Sequence, residues 1–518
     1  MWLFIEVFRC MSEAKGFFKS GIILTVVGLA MRSVAMFFGA FISRTVGAEG
    51  TGLYTLVMTV YSFAATLATS GISLTVTRLV ASAIGEGRPR EIGRVLRGAF
   101  LFSICFGLLA TLGLFFGADL IGRVILSDGR TVLSLKVLAF SLVPSAMSAA
   151  LSGYFVGVKR VSFNAATSVL CQMIKIGLTV VLVVYLSPYG IVSAVVGLCI
   201  GITLTEILGF CLFFFEFLYD WRKNGVKTRD RSMDLSSVSR TALPLAFSAY
   251  VRSLLLNIEH ILIPRKLRQS GESSTEAYAQ YGILHGMALP LIIYPMSPLS
   301  SFASLLVPEF AEDMSAGRKE RMCRIASKAT NVTLAYAVIS AVFLYVFSEE
   351  LGYVVYDSYE AGYYISTMSV VVPIMYLDHV TDSMLKGIGE QVFSMWVNIT
   401  DSLLSVFLVW LLIPRMGIMG YAVVIVIMEA YNFLLSFIRL RKKISFKIKP
   451  LTYILIPLVA SCISALLARE IFRFCGSNTT MLWLIMKMTF ALAITVSILA
   501  LFSARKEIFT QKIKIKMK

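Results

Sequence analysis

The chain has 518 residues, of which 57% are hydrophobic and only 15% are charged, and its mean hydropathy is +0.80. A soluble protein of this length needs far more polar surface, so the composition excludes a soluble enzyme and indicates a polytopic membrane protein with almost no extramembrane domain. The net charge is +18, but the basic residues lie in short loops between apolar runs, where they set membrane topology. A nucleic-acid partner is therefore not expected.

The apolar runs, taken in chain order, predict the transmembrane helices. A helix needs about 20 apolar residues to cross a bilayer, and about fourteen runs meet this length. We therefore predict an all-α polytopic membrane protein with about 14 transmembrane helices. The runs fall at 20–44, 50–76, 93–117, 133–157, 162–186, 190–218, 240–264, 279–306, 326–347, 362–385, 392–413, 417–438, 451–473 and 480–503.

The charge of the connecting loops alternates along the chain. Lys and Arg are concentrated at 86–97, 222–231, 317–324 and 439–449, whereas the loop at 348–361 contains neither. Because cytoplasmic loops carry the excess of basic residues, both the N-terminus and the C-terminus are predicted to lie in the cytoplasm. An even number of helices agrees with this topology.

The second half of the sequence repeats features of the first half in the same order, which predicts an internal duplication. Each half has an arginine inside its first apolar run, a second arginine at or directly after the end of that run, and a basic segment further on. The paired features are Arg32 and Arg252, Arg44 and Arg265, and GRPREIGRVLRGA (87–99) and GRKERMCRIASKA (317–329).

With six helices in each repeat, both halves enter the membrane from the same side. The two six-helix lobes are then related by a parallel pseudo-two-fold axis, with a substrate site near the midplane between them. The last two runs have no counterpart in the repeat and form a C-terminal helix pair. The predicted segments are a cytoplasmic N-terminal segment (1–19), an N-terminal lobe (20–220), a basic cytoplasmic linker (221–239), a C-terminal lobe (240–440), the C-terminal helix pair (441–504) and a basic cytoplasmic tail (505–518).

The seventh apolar run carries three polar side chains that are costly inside a membrane. Arg252, Glu259 and His260 are spaced so that they share one face of a helix. This pattern predicts either a polar strip that faces the cavity between the lobes or a salt-bridge stripe that satisfies itself.

Acidic residues recur in the later runs. Asp378, His379 and Asp382 lie in the tenth run, where they predict either a proton- or Na⁺-coupling site or a solvated helix end. Asp401 and Glu429 fall in the middle of the next two runs without an obvious basic partner, so they are further coupling candidates. No Cys or His spacing typical of a metal site occurs, and no Walker P-loop, HExxH or GxSxG motif indicates an enzyme.

Three segments resemble a known family. The segments MRSVAMFFGAFISRTVGAEGTGLYTLV (31–57), SGISLTVTRLVASAIGEGR (70–88) and PRMGIMGYAVVIVI (414–427) resemble the polysaccharide-transport branch of the multidrug/oligosaccharidyl-lipid/polysaccharide exporter superfamily. This resemblance implies a two-lobed, V-shaped flippase of the bacterial cytoplasmic (inner) membrane. Such a protein moves a polyprenyl-diphosphate-linked oligosaccharide or peptidoglycan precursor by alternating access, for cell-envelope or spore-cortex polysaccharide synthesis.

The resemblance also implies site residues. Lipid-flipping members of the superfamily use cavity arginines for the lipid diphosphate, and one of these falls on Arg32. A second would fall near Phe38, so that part of the pattern is absent here. We expect Arg252, the repeat counterpart of Arg32, to supply the missing charge. The predicted substrate-binding residues are Arg32, Arg44, Arg252, Glu259 and His260.

Other functions and partners are also compatible with the sequence. The main alternative is a cation-coupled multidrug antiporter of the same superfamily, followed by a membrane glycosyltransferase or polymerase and by a nontransporting scaffold. The expected partners are the lipid-linked glycan, membrane lipids and envelope-synthesis enzymes, and a monomer is compatible with the sequence. No cofactor is expected apart from a coupling ion, Na⁺ or H⁺.

Overall fold

The structure is a computed structural model, and it describes residues 15–69, 71–85, 91–158, 160–224, 235–315, 317–474 and 480–516. All regular elements in these ranges are helices. The first are α1 (Lys15–Thr69), α2 (Ile72–Gly85), α3 (Ile92–Leu120), α4 (Thr131–Ala139), α5 (Leu142–Gly157), α6 (Val161–Leu186) and α7 (Ile191–Asn224). They are followed by α8 (Leu235–Gln269), α9 (Ser274–Tyr281), α10 (Leu289–Ile293), α11 (Ser297–Ser315), α12 (Lys319–Val346), α13 (Ser348–Tyr356), α14 (Tyr359–Ser369), α15 (Val372–Gly387), α16 (Gln391–Met416), α17 (Ile418–Lys443), α18 (Ile456–Phe474) and α19 (Met481–Lys516).

The protein is an all-helical, multi-pass membrane protein. Within the described ranges, ten helices are long and apolar enough to cross a membrane, or eleven if the pair α4 and α5, bent by 43°, forms one span. Three of the predicted spans, at 20–44, 240–264 and 362–385, have no separate counterpart among these candidates. The third of these is broken between α14 and α15. The total of about 14 spans therefore stays a prediction.

Gly87 and Gly317 begin the two matching basic segments of the sequence repeat. The ends of two pairs of helices are separated by the same number of residues as these two glycines. The helices α5 and α15 begin and end at that interval, and so do α6 and α16. Among the described residues, the non-glycine residues with positive φ are Ser127 (56°) and Asp357 (58°), which are separated by the same interval. These coincidences support the predicted internal duplication.

The chain divides into two compact units. Unit 1 contains Met1–Arg44, Ile283–Ser405 and Met419–Lys518, and unit 2 contains Thr45–Gly282 and Val406–Ile418. The division crosses α1 close to a kink at Gly47, where φ is 76°. The predicted lobes at 20–220 and 240–440 stay a prediction.

Unit 2 is held together by two clusters of buried apolar side chains. Helices α1, α3, α4, α5, α7 and α9 contribute to the first cluster, and α2, α3, α5, α7 and α8 contribute to the second. Because lipid is as apolar as leucine, close packing rather than removal from water stabilises such contacts inside a membrane. Fully buried members include Leu126, Leu135, Leu138, Ile72 and Phe155.

Unit 1 is built around α12. In the most apolar part of this helix, 78% of the residues are buried, the largest share among the candidate spans of the described chain. It packs against α11, α14, α15 and α18. The helix α12 is therefore the central element against which the rest of this unit is positioned.

The segment GAEGTG (47–52) has a structural role in unit 2. Gly47 takes a left-handed conformation that kinks α1, and only glycine adopts it without strain. Glu49 pairs with Arg130 at 2.8 Å. A Cβ atom on Gly52 would lie 2.0 Å from the carbonyl oxygen of Tyr278, so the backbones of α1 and α9 touch here.

Replacing Gly52 by alanine is expected to lower the free energy of unfolding by about 2–3 kcal/mol, because the new methyl group forces two backbones apart. Thermal unfolding of the purified protein in detergent measures this change. Gly113→Ala is the matched control, since no atom lies within 4 Å of its added Cβ. Equal stability of the two variants would contradict the close contact between α1 and α9.

The C-terminal helix pair is anchored in unit 1. Lys487 of α19 is 8% exposed, its Nζ lies 2.7 Å from Oε1 of Glu350, and it also lies over the ring of Phe347 at 5.8 Å. A buried ammonium needs such a partner. The helix pair is therefore a fixed part of unit 1.

Lys487→Met is expected to destabilise the protein by about 1–2 kcal/mol, because it leaves the partly buried carboxylate of Glu350 without its cation. In the double variant with Glu350→Gln, much of this loss should be recovered. A double-mutant cycle of thermal unfolding measures the coupling. Strictly additive effects of the two changes would show that the pair does not hold α19.

Candidate functional site

Of the two predicted cavity arginines, only Arg252 can be placed, because the side chain of Arg32 lies outside the described residues. Arg252 is exposed and lies near the middle of α8. Among the described residues it forms no ion pair with a carboxylate. An exposed guanidinium at this point of a helix in a membrane protein needs water or an anionic partner.

The other two residues of the predicted polar strip have different surroundings. Glu259 is 7% exposed and His260 is half-buried. The Nδ1 atom of His260 lies 3.3 Å from the hydroxyl of Tyr281 on α9. The strip therefore passes from an exposed arginine to buried polar groups. Tyr281 was not predicted, since its position in the next helix gives no periodic signal linking it to His260.

Arg44, the remaining predicted substrate ligand, contacts backbone carbonyls within unit 1. Its guanidinium donates to the carbonyl oxygens of Val354 and Val355 at the end of α13, with Nε at 3.0 Å from Val355. In unit 2, Arg265 donates to the carbonyl oxygen of Val124 at 2.6 Å. Arg44 and Arg265 are predicted repeat counterparts, and Val124 and Val354 are separated by the repeat interval. Both arginines thus supply a cation to the carbonyl-rich end of a helix.

Three carboxylates from three successive helices come together in unit 1. Asp378 of α15, Asp401 of α16 and Glu429 of α17 are all half-buried, and their charges interact with one another. The Oδ1 atom of Asp378 is buried and has no hydrogen-bond partner among the described residues. Several carboxylates at this depth are costly to keep ionised together, so binding of a proton or a cation would stabilise the group.

Asp382 lies one helical turn from Asp378 but has its own partners. Its carboxylate accepts a hydrogen bond from Ser394 at 2.5 Å and pairs with Lys386 at 2.5 Å. Lys386 is visible in the sequence as the residue one turn further on, whereas Ser394 lies beyond the next loop. His379 is half-buried beside Asp378 on α15. Asp382 therefore has ion-pair and hydrogen-bond partners of its own, although its charge also interacts with that of Asp378.

The described residues contain no set of three His, Cys, Asp or Glu side chains placed to hold a metal ion. The three carboxylates therefore interact at a distance longer than that of shared metal ligands. The chemistry available to these three carboxylates is the uptake and release of a positive charge.

The sequence matches two family models. The model described as "Polysaccharide biosynthesis protein" matches residues 17–314, and the model described as "MatE" matches residues 271–411. Two curated relatives come from Bacillus subtilis (strain 168). Stage V sporulation protein B is 27% identical over 423 residues, covering 79% of this chain and 80% of the relative. Sporulation protein YkvU is 22% identical over 362 residues, covering 66% of this chain and 78% of the relative.

Solved membrane transporters share the fold. The lipid II flippase MurJ in an inward closed conformation has a TM-score of 0.67 at 15% identity, over 93% of this chain and 99% of that one. A MATE in complex with MaL6 has a TM-score of 0.60 at 17% identity, over 82% of this chain and 96% of that one. At these identities the likeness shows the fold alone, which is the fold of MurJ and of MATE transporters.

Proposed function

The chain belongs to the polysaccharide biosynthesis protein family within the multidrug/oligosaccharidyl-lipid/polysaccharide exporter superfamily, and we propose that it is a flippase for a lipid-linked glycan. It is a multi-pass transporter and not an enzyme. In this proposal it moves a polyprenyl-diphosphate-linked oligosaccharide or peptidoglycan precursor outward across the cytoplasmic membrane by alternating access. Both chain termini then lie in the cytoplasm, in line with the basic loops.

The exposed guanidinium of Arg252, near the middle of a helix that the sequence predicts to span the membrane, carries this proposal. A lipid diphosphate brings a concentrated negative charge to the membrane interior, where an anion needs a fixed cation. Arginine suits this task because its planar fork offers paired donors to phosphate oxygens and stays charged when partly desolvated. Arg32, its predicted counterpart, would supply a second guanidinium, while Glu259 and His260 would contact polar parts of the substrate.

The names of the relatives support a role in envelope synthesis. One relative is a stage V sporulation protein and one structural neighbour is a lipid II flippase. Together with the family description as a polysaccharide biosynthesis protein, these names support a glycan precursor for the cell envelope or for the spore cortex as the proposed substrate class. Envelope-synthesis enzymes would then be the functional partners that supply the precursor and use it.

The three interacting carboxylates of unit 1 would couple transport to an ion. Binding of H⁺ or Na⁺ near Asp378, Asp401 and Glu429 would neutralise part of their charge and favour one state of the cycle over the other. The membrane potential is the alternative driving force. Asp382 and His379 lie on the same helix and would modulate access to this site.

The decisive experiment is a translocation assay in proteoliposomes with lipid II or another polyprenyl-diphosphate sugar. We expect flipping that depends on the protein and is stimulated by an ion gradient or a membrane potential. The MatE match at 271–411 and the carboxylate cluster favour a second candidate function, a cation-coupled drug antiporter. Ion-driven export of a cationic dye without movement of any lipid-linked sugar would overturn the flippase proposal in favour of the antiporter.

A further inference from the structure

A short extended segment connects two membrane spans at the basic end of unit 1. The candidate spans Ile418–Lys443 and Leu451–Arg473 are joined by residues 444–450 alone. Because an extended residue covers at most ~3.5 Å, this connection reaches no more than about 12 Å beyond the helix ends. We call residues 439–450 the strap. Its side chains must lie in or next to the headgroup layer of the membrane.

The backbone of the strap is fixed on α12. The amide of Lys447 donates to Ser327 Oγ at 3.0 Å, and the amide of Lys449 donates to Asn331 Oδ1 at 2.9 Å. The Asn331 amide group donates in turn to the carbonyl of Lys447 at 3.1 Å. Asn331 therefore holds two residues of the strap at once, on the most buried helix of the unit.

Apolar and basic side chains of the strap point in opposite directions. Ile444 and Phe446 are 2% and 3% exposed, whereas Lys447 and Lys449 are exposed. The apolar residues anchor the strap in the protein, so the alternation characteristic of extended chain presents the lysines outward. A fixed backbone loses less conformational freedom when the lysines bind a partner.

Only part of the positive charge in the strap is neutralised within the described chain. Arg439 and Lys443 pair with Glu390, each at 2.8 Å, and Lys443, with Arg439, holds the pKa of that carboxyl below its usual range. Four further basic residues are exposed and form no ion pair with a described carboxylate. These four are Arg441, Lys442, Lys447 and Lys449.

Arg441 is positioned for an anionic partner. Its guanidinium lies over the ring of Phe437 at 5.7 Å and over that of Phe446 at 5.9 Å. Aromatic faces orient a guanidinium while leaving its N–H edge available to phosphate oxygens. The strap thus combines an oriented arginine with three lysines at the level of the headgroups.

We propose that the strap is a binding site for anionic phospholipid headgroups of the cytoplasmic leaflet. Clusters of four or more basic residues next to a membrane span bind such lipids, because each positive charge near the surface adds to the attraction. This site is independent of the transported substrate, so its failure would leave the flippase proposal untouched. Bound lipid would hold the α17 end and the C-terminal helix pair against α12.

The test is native mass spectrometry of the full chain, purified in detergent and titrated with dioleoylphosphatidylglycerol or with dioleoylphosphatidylcholine. Replacing Arg441, Lys442, Lys447 and Lys449 by glutamine is expected to weaken phosphatidylglycerol binding by at least about tenfold. Binding of phosphatidylcholine should not change. Thermal unfolding of the variant verifies that its fold is retained, and the smaller variant Lys447→Gln/Lys449→Gln should give an intermediate loss.

A matched control removes the same charge elsewhere. Arg222, Lys223, Lys319 and Arg324 are exposed near helix ends of the described chain, and their replacement by glutamine should leave phosphatidylglycerol binding within about twofold of the original. An equal loss in both variants would show diffuse attraction by net charge and overturn the proposal. Retention of undecaprenyl diphosphate instead of phosphatidylglycerol by the strap would overturn it too, in favour of a substrate-recruiting surface.

Discussion

Replacing Arg252 by alanine is expected to reduce translocation of a polyprenyl-diphosphate-linked sugar by at least about tenfold while leaving membrane insertion intact. A charge-assisted hydrogen bond contributes roughly 1.5–3 kcal/mol, which corresponds to this loss or more. The side chain is exposed and forms no ion pair with a described carboxylate, so its removal disturbs little packing. Arg32→Ala is expected to give a comparable loss. The measurement is the initial rate of flipping in proteoliposomes, normalised to the amount of inserted protein.

Two further variants distinguish a specific role of Arg252 in transport from a general effect of removing a positive charge. Arg252→Lys keeps the charge but loses the planar fork, so an intermediate rate is expected. Arg324→Ala removes an exposed arginine of α12 and should leave the rate unchanged. Normal transport by both Arg32→Ala and Arg252→Ala would eliminate the proposed diphosphate site.

Replacing Asp378 by asparagine is expected to abolish the stimulation of transport by an ion gradient, lowering the driven rate by about tenfold or more. Asparagine has nearly the same shape but neither ionises nor binds a cation strongly. Asp401 and Glu429, whose charges interact with that of Asp378, would then have to bind the ion without the carboxylate of Asp378. Transport driven separately by a proton gradient, by a Na⁺ gradient and by membrane potential measures the effect and identifies the ion.

Two carboxylates serve as comparisons for Asp378. Asp382→Asn should have a smaller effect, because Asp382 already pairs with Lys386 and Ser394. Glu320→Gln removes an exposed carboxylate whose partner Arg324 is also exposed, and no effect is expected. If Asp378→Asn kept full ion dependence while Asp382→Asn lost it, the coupling group would lie at the helix end instead.

Much of the architecture can be predicted from the sequence. The membrane class, the all-helical fold and eleven of the predicted runs have counterparts among the candidate spans, including the bent pair. The resemblance to the exporter superfamily is confirmed by the family match and by the shared fold. The duplication suggested by Gly87 and Gly317 is supported by helix boundaries. Hydropathy could not reveal the break between α14 and α15, because both helices are apolar. The break is a change in backbone direction and not a change in composition.

The candidate site was harder to predict, since residue spacing places a side chain on a helix face but not in an environment. Arg252 and Glu259 share a predicted face, yet one is exposed and the other is buried. Asp378 and Asp382 also share a face, yet of these two carboxylates it is Asp382 that forms an ion pair with Lys386. These differences in exposure and in ion pairing depend on how neighbouring helices pack. The residue period of a single helix does not specify how its neighbours are rotated against it.

Composition, loop charge and repeated motifs alone predict a basic-looped membrane protein with an internal duplication, because each depends on local properties of the chain. Hydropathy reports solvent preference, and basic loops report topology. Only the packed structure brings Asp378, Asp401 and Glu429 together, directs Arg44 to the carbonyl groups of α13 and fixes the strap on α12. These contacts join residues from different helices, so they arise from how side chains of separate helices interlock.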